Sequence, residues 1–169
     1  PGSLAMGVRQ PAGVVLGMAP WNAPIILGVR AIATPLACGN TVILKGSENC
    51  PRTHQLIAEA FQDAGFPPGV VNYITNAPAD AGAVVEAMVA HPAVRRVNFT
   101  GSTRVGKLIA MTCAKYLKPV VLELGGKAPL VVLDDADLDA AVDAAVFGAF
   151  VNQGQVCMST ERIVVDHKV

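Results

Sequence analysis

Short runs of aliphatic and β-branched residues alternate along the chain with longer stretches of helical length, and glycine or proline stands at most of the junctions. Gly13-Val14-Val15-Leu16-Gly17-Met18 has no polar position and predicts a buried strand. Residues 25–38 follow at helical length, with Gly39-Asn40 as a C-terminal stop. A strand is predicted at 41–44. Residues 51–64 form an amphipathic pattern with Leu56, Ile57, Ala60 and Phe61 on one face, ended by Gly65. The pattern continues with a strand at 70–74, a helix at 79–90, a strand at 94–99 and a helix at 102–116. Strands at 120–122 and 130–133 come next. An Ala/Val-rich helix over 135–151 opens with acidic residues, which suit the positive end of a helix dipole. Residues 162–165 begin a last strand.

Strands and helices alternating at these lengths indicate βαβ units, and hence a parallel sheet. The strands are continuous apolar runs, as expected for a sheet covered on both faces. The fold class is therefore α/β with a doubly wound parallel sheet. The pattern pauses near Gly125-Gly126, which sets a boundary between residues 12–125 and residues 126–169.

Composition narrows the function. The 169 residues carry 13 basic and 13 acidic side chains, so the net charge is zero and no basic excess is present to neutralise phosphates. Nucleic acid is thus not an expected partner. Apolar residues make up 52% and charged residues 15%, which excludes a disordered chain. Mean hydropathy is +0.45, more than a free-standing domain needs. The apolar stretch 14–29 is broken by Pro20, Asn22 and Pro24, so no membrane helix is expected. Four cysteines and three histidines show neither metal-type spacing nor a disulfide framework, and no metal site is expected. Free thiols fit a reducing, cytoplasmic compartment. The chain lacks an initiator methionine and a signal peptide and starts abruptly, so it is expected to be part of something longer.

Five segments carry candidate chemistry. In Phe99-Thr100-Gly101-Ser102-Thr103-Arg104-Val105-Gly106 a strand turns into a helix, and helix N–H groups there suit a pyrophosphate. The spacing is not GxGxxG, and Gly101 and Ser102 serve equally as turn and cap residues. Lys45 and Glu48, just past a strand, suit ribose hydroxyls; the other reading is a solvated loop. Glu123, before Gly125-Gly126-Lys127, suits a general base if partly buried, and the other reading is a turn with a Glu–Lys surface pair. Cys157 follows a helix in the polar loop Asn152-Gln153-Gly154-Gln155 and suits a thiolate nucleophile, or else a small buried hydrophobe. Asn22, between Pro20-Trp21 and Pro24, suits an oxyanion donor or a turn cap.

In this order the five segments resemble the aldehyde dehydrogenase superfamily, from about Arg9 to Val165. The resemblance implies a Rossmann-like NAD-binding domain over 12–125 and the start of an α/β catalytic domain over 126–169. It implies that Cys157 attacks the aldehyde, that Asn22 and the Cys157 backbone N–H form the oxyanion hole, and that Glu123 activates water against the resulting thioester. Glu123 also argues against a branch in which coenzyme A takes the thioester. Cofactor contacts carry over to Met18, Ala19, Pro20 and Trp21, to Lys45, Ser47 and Glu48, to Gly101, Ser102 and Val105, and to Leu124 and Gly125.

The segments around Cys157 and Lys45 look like those of bacterial salicylaldehyde, benzaldehyde and vanillin dehydrogenases. An aromatic aldehyde is therefore the expected substrate, with Leu27, Arg30, Val151 and Met158 shaping its pocket and Arg30 meeting a ring hydroxyl. Alternatives are an aliphatic or semialdehyde dehydrogenase, or a fragment that binds NAD without turnover. Glu48 favours NAD by repelling a 2′-phosphate, though NADP is also compatible. Against a complete member, the chain lacks an N-terminal part and most of the catalytic domain. The resemblance thus implies a fragment, inactive alone, of a homodimeric or homotetrameric parent, and its high hydropathy reflects surfaces meant to be covered.

Overall fold

The computed structural model describes residues 2–169. In chain order the elements are β1 (Val14–Met18), α1 (Pro24–Ala37), β2 (Thr41–Lys45), α2 (Pro51–Asp63), β3 (Val71–Ile74), α3 (Ala81–Ala90), β4 (Val94–Gly101), α4 (Thr103–Lys115), β5 (Val120–Leu124), β6 (Pro129–Val132), α5 (Leu138–Phe150) and β7 (Arg162–Val165). Short 3-10 turns at Pro78–Asp80 and Val151–Gly154 precede α3 and follow α5.

Strands β1 to β5 form one parallel sheet in the order β3-β2-β1-β4-β5, and β6 and β7 form a second parallel pair. The large sheet is wound in both directions from β1. Alternation along β1 sends neighbouring residues to opposite faces. Val15 packs with Ala31, Ile32, Val42, Leu44 and Ile57 on the side of α1 and α2. Leu16 and Met18 pack with Val89, Val97, Phe99, Ile109 and Cys113 on the side of α3 and α4. Leu16 and Ile32 are fully buried. Burial of such a side chain stabilises by about 1.5–3 kcal/mol.

Local contacts set the spacing of these layers. A Cβ at Gly17 would lie 2.8 Å from the Ala31 carbonyl oxygen and 3.0 Å from the Ala31 Cβ, so α1 rests directly on the backbone of β1. Asn40 ties the end of α1 to the start of β1. Its Nδ2 donates to the Pro35 carbonyl (2.9 Å), and its Oδ1 accepts from the N–H groups of Ala12 (2.6 Å) and Gly13 (3.0 Å).

Several boundaries differ from the sequence pattern. β4 runs to Gly101 and β5 to Leu124, each two residues beyond the apolar run. The registers Thr100↔Glu123 and Gly101↔Leu124 show that ladder pairing carries the strands on where hydrophobicity stops. Glu123 therefore lies within a strand rather than after it. α5 starts at Leu138 rather than 135, because the Asp137 carboxylate accepts the Ala140 N–H (3.1 Å) and caps the helix. α3 starts at Ala81 rather than 79, after its 3-10 turn.

Outside the large sheet the chain is less covered. α5 has no buried residue, and Val142, Val146, Phe147 and Phe150 are exposed on it. Val131, Ile163, Val164 and Val165 are exposed on β6 and β7. These faces hold much of the excess hydropathy. No helix among the described residues is long and apolar enough to cross a membrane.

The contact at Gly17 gives a stability prediction. Gly17→Ala will destabilise the chain by about 1–3 kcal/mol, the usual cost of overpacking. Gly126→Ala, whose Cβ would meet nothing within 4 Å, will change stability by less than about 0.5 kcal/mol. Urea unfolding followed by circular dichroism measures both.

Candidate active site

Because β1 to β5 are parallel, their C-terminal ends share one edge. The order of the sheet makes the chain leave β1 and β4 in opposite directions there, which is where open α/β sheets bind ligands. Two adjoining clefts lie at this edge. They share a wall of Pro20, Trp21, Thr100, Gly101 and Ser102.

The first cleft, of about 480 Å³, is lined by Met18, Ala19, Pro20, Trp21, Lys45, Ser47, Glu48, Gly101, Ser102 and Val105 among others. Lys45 ends β2 and is buried, and its ammonium pairs with the Glu48 carboxylate. The solvated-loop reading of Lys45 is thereby set aside. Asn76 Nδ2 donates to the same Glu48 oxygen at 3.1 Å. Burial pushes the Glu48 carboxyl up, but hydrogen bonds from Lys45 and Asn76 and the Lys45 charge outweigh it and hold the group below its ordinary value. Glu48 therefore stays ionised at neutral pH. Ser102 caps α4 by accepting the Val105 N–H (3.3 Å). At Gly101 a Cβ would lie 2.5 Å from the Phe99 ring, so this position admits no side chain without displacing that ring.

The second cleft, of about 340 Å³, is lined by Asn22, Glu123 and Cys157, together with Leu27, Leu124, Gly125 and Gln155. A thiol, a carboxyl group and an amide from three distant segments thus face one space. Cys157 is exposed. Glu123 is also exposed, against the expectation of partial burial. It sits on edge strand β5, where Val121, two residues before it on the same face, is likewise uncovered. Lys127 pairs with Glu161 (2.8 Å) rather than with Glu123, which removes the surface-pair reading of Glu123.

The loop that bears Cys157 is held by its own backbone and by Asn22. Asn152 (φ 51°), Gln153 (φ 55°) and Gly154 (φ 72°) are consecutive left-handed residues. For Asn152 and Gln153 that conformation is costly, about 1–2 kcal/mol each. The loop closes where the Thr160 N–H donates to the Gly148 carbonyl (2.9 Å). Two hydrogen bonds then fasten it across the cleft. Asn22 Nδ2 donates to the Gln155 carbonyl (2.6 Å), and Asn152 Nδ2 donates to the Asn22 carbonyl (3.1 Å).

The residues expected around the substrate divide. Leu27 is buried and lines the second cleft. Arg30 is exposed on α1, and its guanidinium donates to Thr100 Oγ1 (3.2 Å) in the shared wall. Val151 is half-buried at the end of α5, and Met158 is 75% exposed; neither is among the residues lining that cleft. Sequence reasoning passed over Asn76, Thr100 and Asn152. Asn152 and Thr100 stood within segments already singled out for other residues, whereas Asn76 gains meaning only from its contact with Glu48.

Comparison with known proteins gives a consistent picture. The description "Aldehyde dehydrogenase family" matches residues 1–169. A vanillin dehydrogenase of Pseudomonas fluorescens is 68% identical over 169 residues, covering all of this chain and 35% of that protein. A salicylaldehyde dehydrogenase of Pseudomonas putida is 56% identical over 167 residues, covering 99% of this chain and 35% of that protein. The crystal structure of a salicylaldehyde dehydrogenase from Pseudomonas putida G7, complexed with salicylaldehyde, superposes with a TM-score of 0.93 at 56% identity, covering 95% of this chain and 33% of the other. The chain spans about a third of the length of the relatives it matches.

The two amide bonds across the cleft give the next prediction. Removing either by Asn22→Ala or Asn152→Ala will loosen the loop by about 1 kcal/mol, the net value of one hydrogen bond. Amide hydrogen exchange over residues 152–157 will then speed up about fivefold, and exchange over β1 will not change.

Proposed function

Because the chain belongs to the aldehyde dehydrogenase family, we propose that it is the cofactor-binding and nucleophile-bearing segment of an enzyme that oxidises an aromatic aldehyde to its carboxylic acid with NAD. The observation that carries this reading is the convergence of Cys157, Asn22 and Glu123 on one cleft that adjoins the Lys45–Glu48 cleft. Residues 12–125 hold the cofactor, and residues 126–169 deliver the nucleophile. The complete enzyme is cytoplasmic and works as a homodimer or homotetramer.

The first cleft fits a dinucleotide. Glu48 is ionised, and both groups that hold it act on Oε1, which leaves Oε2 for ribose hydroxyls. The start of α4 offers backbone N–H groups to a pyrophosphate, and Gly101 keeps side chains out of the way. Trp21, in the wall between the clefts, and Leu124 and Gly125, in the second cleft, would hold the nicotinamide end of the cofactor.

The chemistry follows from the three side chains. The Cys157 thiolate attacks the aldehyde carbon and forms a C–S bond, and the carbonyl oxygen becomes an alkoxide. One Asn22 N–H already holds Gln155. The second N–H, with the Cys157 backbone N–H, stabilises that alkoxide. Bound NAD would supply the hydride acceptor that lets this carbon pass to the thioester held on Cys157 Sγ. Glu123 then takes a proton from water and afterwards releases it to solvent. The hydroxide adds to the thioester, the C–S bond breaks, and the acid leaves with the Cys157 thiolate restored. Leu27 lines the aromatic pocket, with Val151 and Met158 at its margin. Arg30, poised at Thr100, meets a ring hydroxyl.

Two measurements on the complete enzyme test this reading. With Glu123→Gln, hydrolysis will slow by about 10²–10⁴ while acylation continues. Mixing with vanillin or salicylaldehyde will then give a burst of NADH of one per site, and Cys157→Ala will give none. A burst absent from Glu123→Gln, or higher kcat/KM on aliphatic semialdehydes, overturns the assignment. The second measurement is cofactor choice. Glu48→Gln removes the charge that opposes a 2′-phosphate and will raise the NADP-to-NAD ratio of kcat/KM about tenfold, or about 1.4 kcal/mol. An unchanged ratio removes Glu48 from cofactor selection.

A further inference from the structure

His54, on α2, is the buried ionisable group that the mechanism leaves unused, and its side chain has no exposure. Its Nδ1 accepts the Ser47 backbone N–H at 3.0 Å. That bond requires an unprotonated Nδ1, so a neutral ring carries its proton on Nε2. Burial pushes the imidazole pKa down and the Lys45 charge adds to this, against a rise from the Pro24 backbone. Nε2 itself makes no hydrogen bond among the described residues.

Room for the ring is made on two sides. A Cβ at Gly28 would lie 3.0 Å from His54 Cδ2, and a Cβ at Gly46 would lie 3.1 Å from His54 Cβ. A burial this complete is costly for a polar ring, so the Ser47 bond is its compensation. The bond also fixes a turn. The Cys50 N–H donates to the Ser47 carbonyl (3.3 Å), and the Asn49 N–H donates to Ser47 Oγ (3.3 Å). This turn lies between Lys45 and Cys50 and carries Glu48 on its crest.

We infer that His54 is a positioning residue for the cofactor: its Nδ1 anchors the Ser47 turn and so holds Glu48 toward the ribose site. The inference rests on the reading of that cleft as the NAD site. His54 touches no reacting atom. Its effect is confined to the turn that bears Glu48, and the thiol, the oxyanion donor and the base lie outside that turn.

The test compares three variants of the complete enzyme. Asn places an acceptor oxygen the same number of bonds from Cβ as Nδ1 does. Gln places its amide one carbon further out, and Leu fills the space without an acceptor. His54→Leu leaves the Ser47 N–H buried and unpaired and will raise KM for NAD about tenfold, with kcat and KM for the aldehyde within about twofold. His54→Asn will return KM for NAD to within about threefold of the parent, and His54→Gln will not. Equal KM values for NAD in the Asn and Gln variants overturn the proposal, even if the Leu variant does not fold. So does a Leu variant that folds and keeps the parent KM. Lys45→Ala and Glu48→Gln serve as controls. If they weaken NAD binding and the His54 variants do not, the role of His54 fails alone. If none of the five variants changes KM for NAD, the cofactor reading of the cleft fails, and the role of His54 fails with it.

Discussion

Everything at the site depends on β1 lying between β2 and β4 and parallel to both. Each β1 residue is paired on both sides, Met18 with Lys45 on one and with Phe99 on the other. β1 and β2 therefore end level with one another, and β4 runs two residues further, to Gly101. Their ends deliver Met18, Lys45 and Gly101 to the same edge, and β5 adds Leu124 beside Gly101. A slip of one residue in β1 would turn Val15 toward the face of Leu16 and exchange the cores into which the two pack. The register is thus fixed by the two cores, and the Lys45–Glu48 cleft follows from it. The close approach of Ala31 to Gly17 extends this order to α1, which carries Leu27 to the second cleft.

Charge at the cleft depends on the same geometry. Lys45 is the last residue of a buried strand, and a lone ammonium there would be costly to desolvate. Glu48 answers it from three residues on, and Asn76 answers Glu48 from the end of β3. The effect is a carboxylate held ionised although burial opposes it. Nearby, burial first and the Lys45 charge after it push the His54 imidazole below its ordinary value, which favours the uncharged ring. One desolvated corner therefore holds a charged pair and an uncharged ring without conflict.

Much of this was legible in the sequence, and the reasons differ by feature. The parallel α/β class could be read because buried strands are short, apolar and separated by helical lengths. The endings of β4 and β5 could not, because Thr100, Gly101 and Glu123 are placed by pairing with each other rather than by hydrophobicity. The expected burial of Glu123 failed for a related reason: the apolar run of β5 does not show that its outward face is uncovered. Cys157, Asn22 and Glu123 were legible as a set, since each sits in a segment of unusual composition. The bonds between Asn22, Asn152 and Gln155 span 133 and 130 positions and have no local signature. Asn76 was silent because its partner Glu48 stands 28 positions away, and His54 because nothing in its helix pattern marks a ring turned inward to the Ser47 turn.

The loop at Cys157 shows why an amide, rather than another donor, suits position 22. The left-handed run Asn152-Gln153-Gly154 stores backbone strain that something outside the loop must offset. Asn22 does so twice, by donating to the Gln155 carbonyl and by offering its own carbonyl to Asn152. A serine hydroxyl has one hydrogen, and donating it to Gln155 would leave nothing for an alkoxide. A carboxylate has none and would face the Gln155 carbonyl with like charge. The carboxamide has two N–H bonds on one nitrogen, so the first can hold the loop while the second stays free. The same side chain thereby ties the position of the thiol to the position of the proposed oxyanion donor, and strain in the loop is the reason the tie is needed.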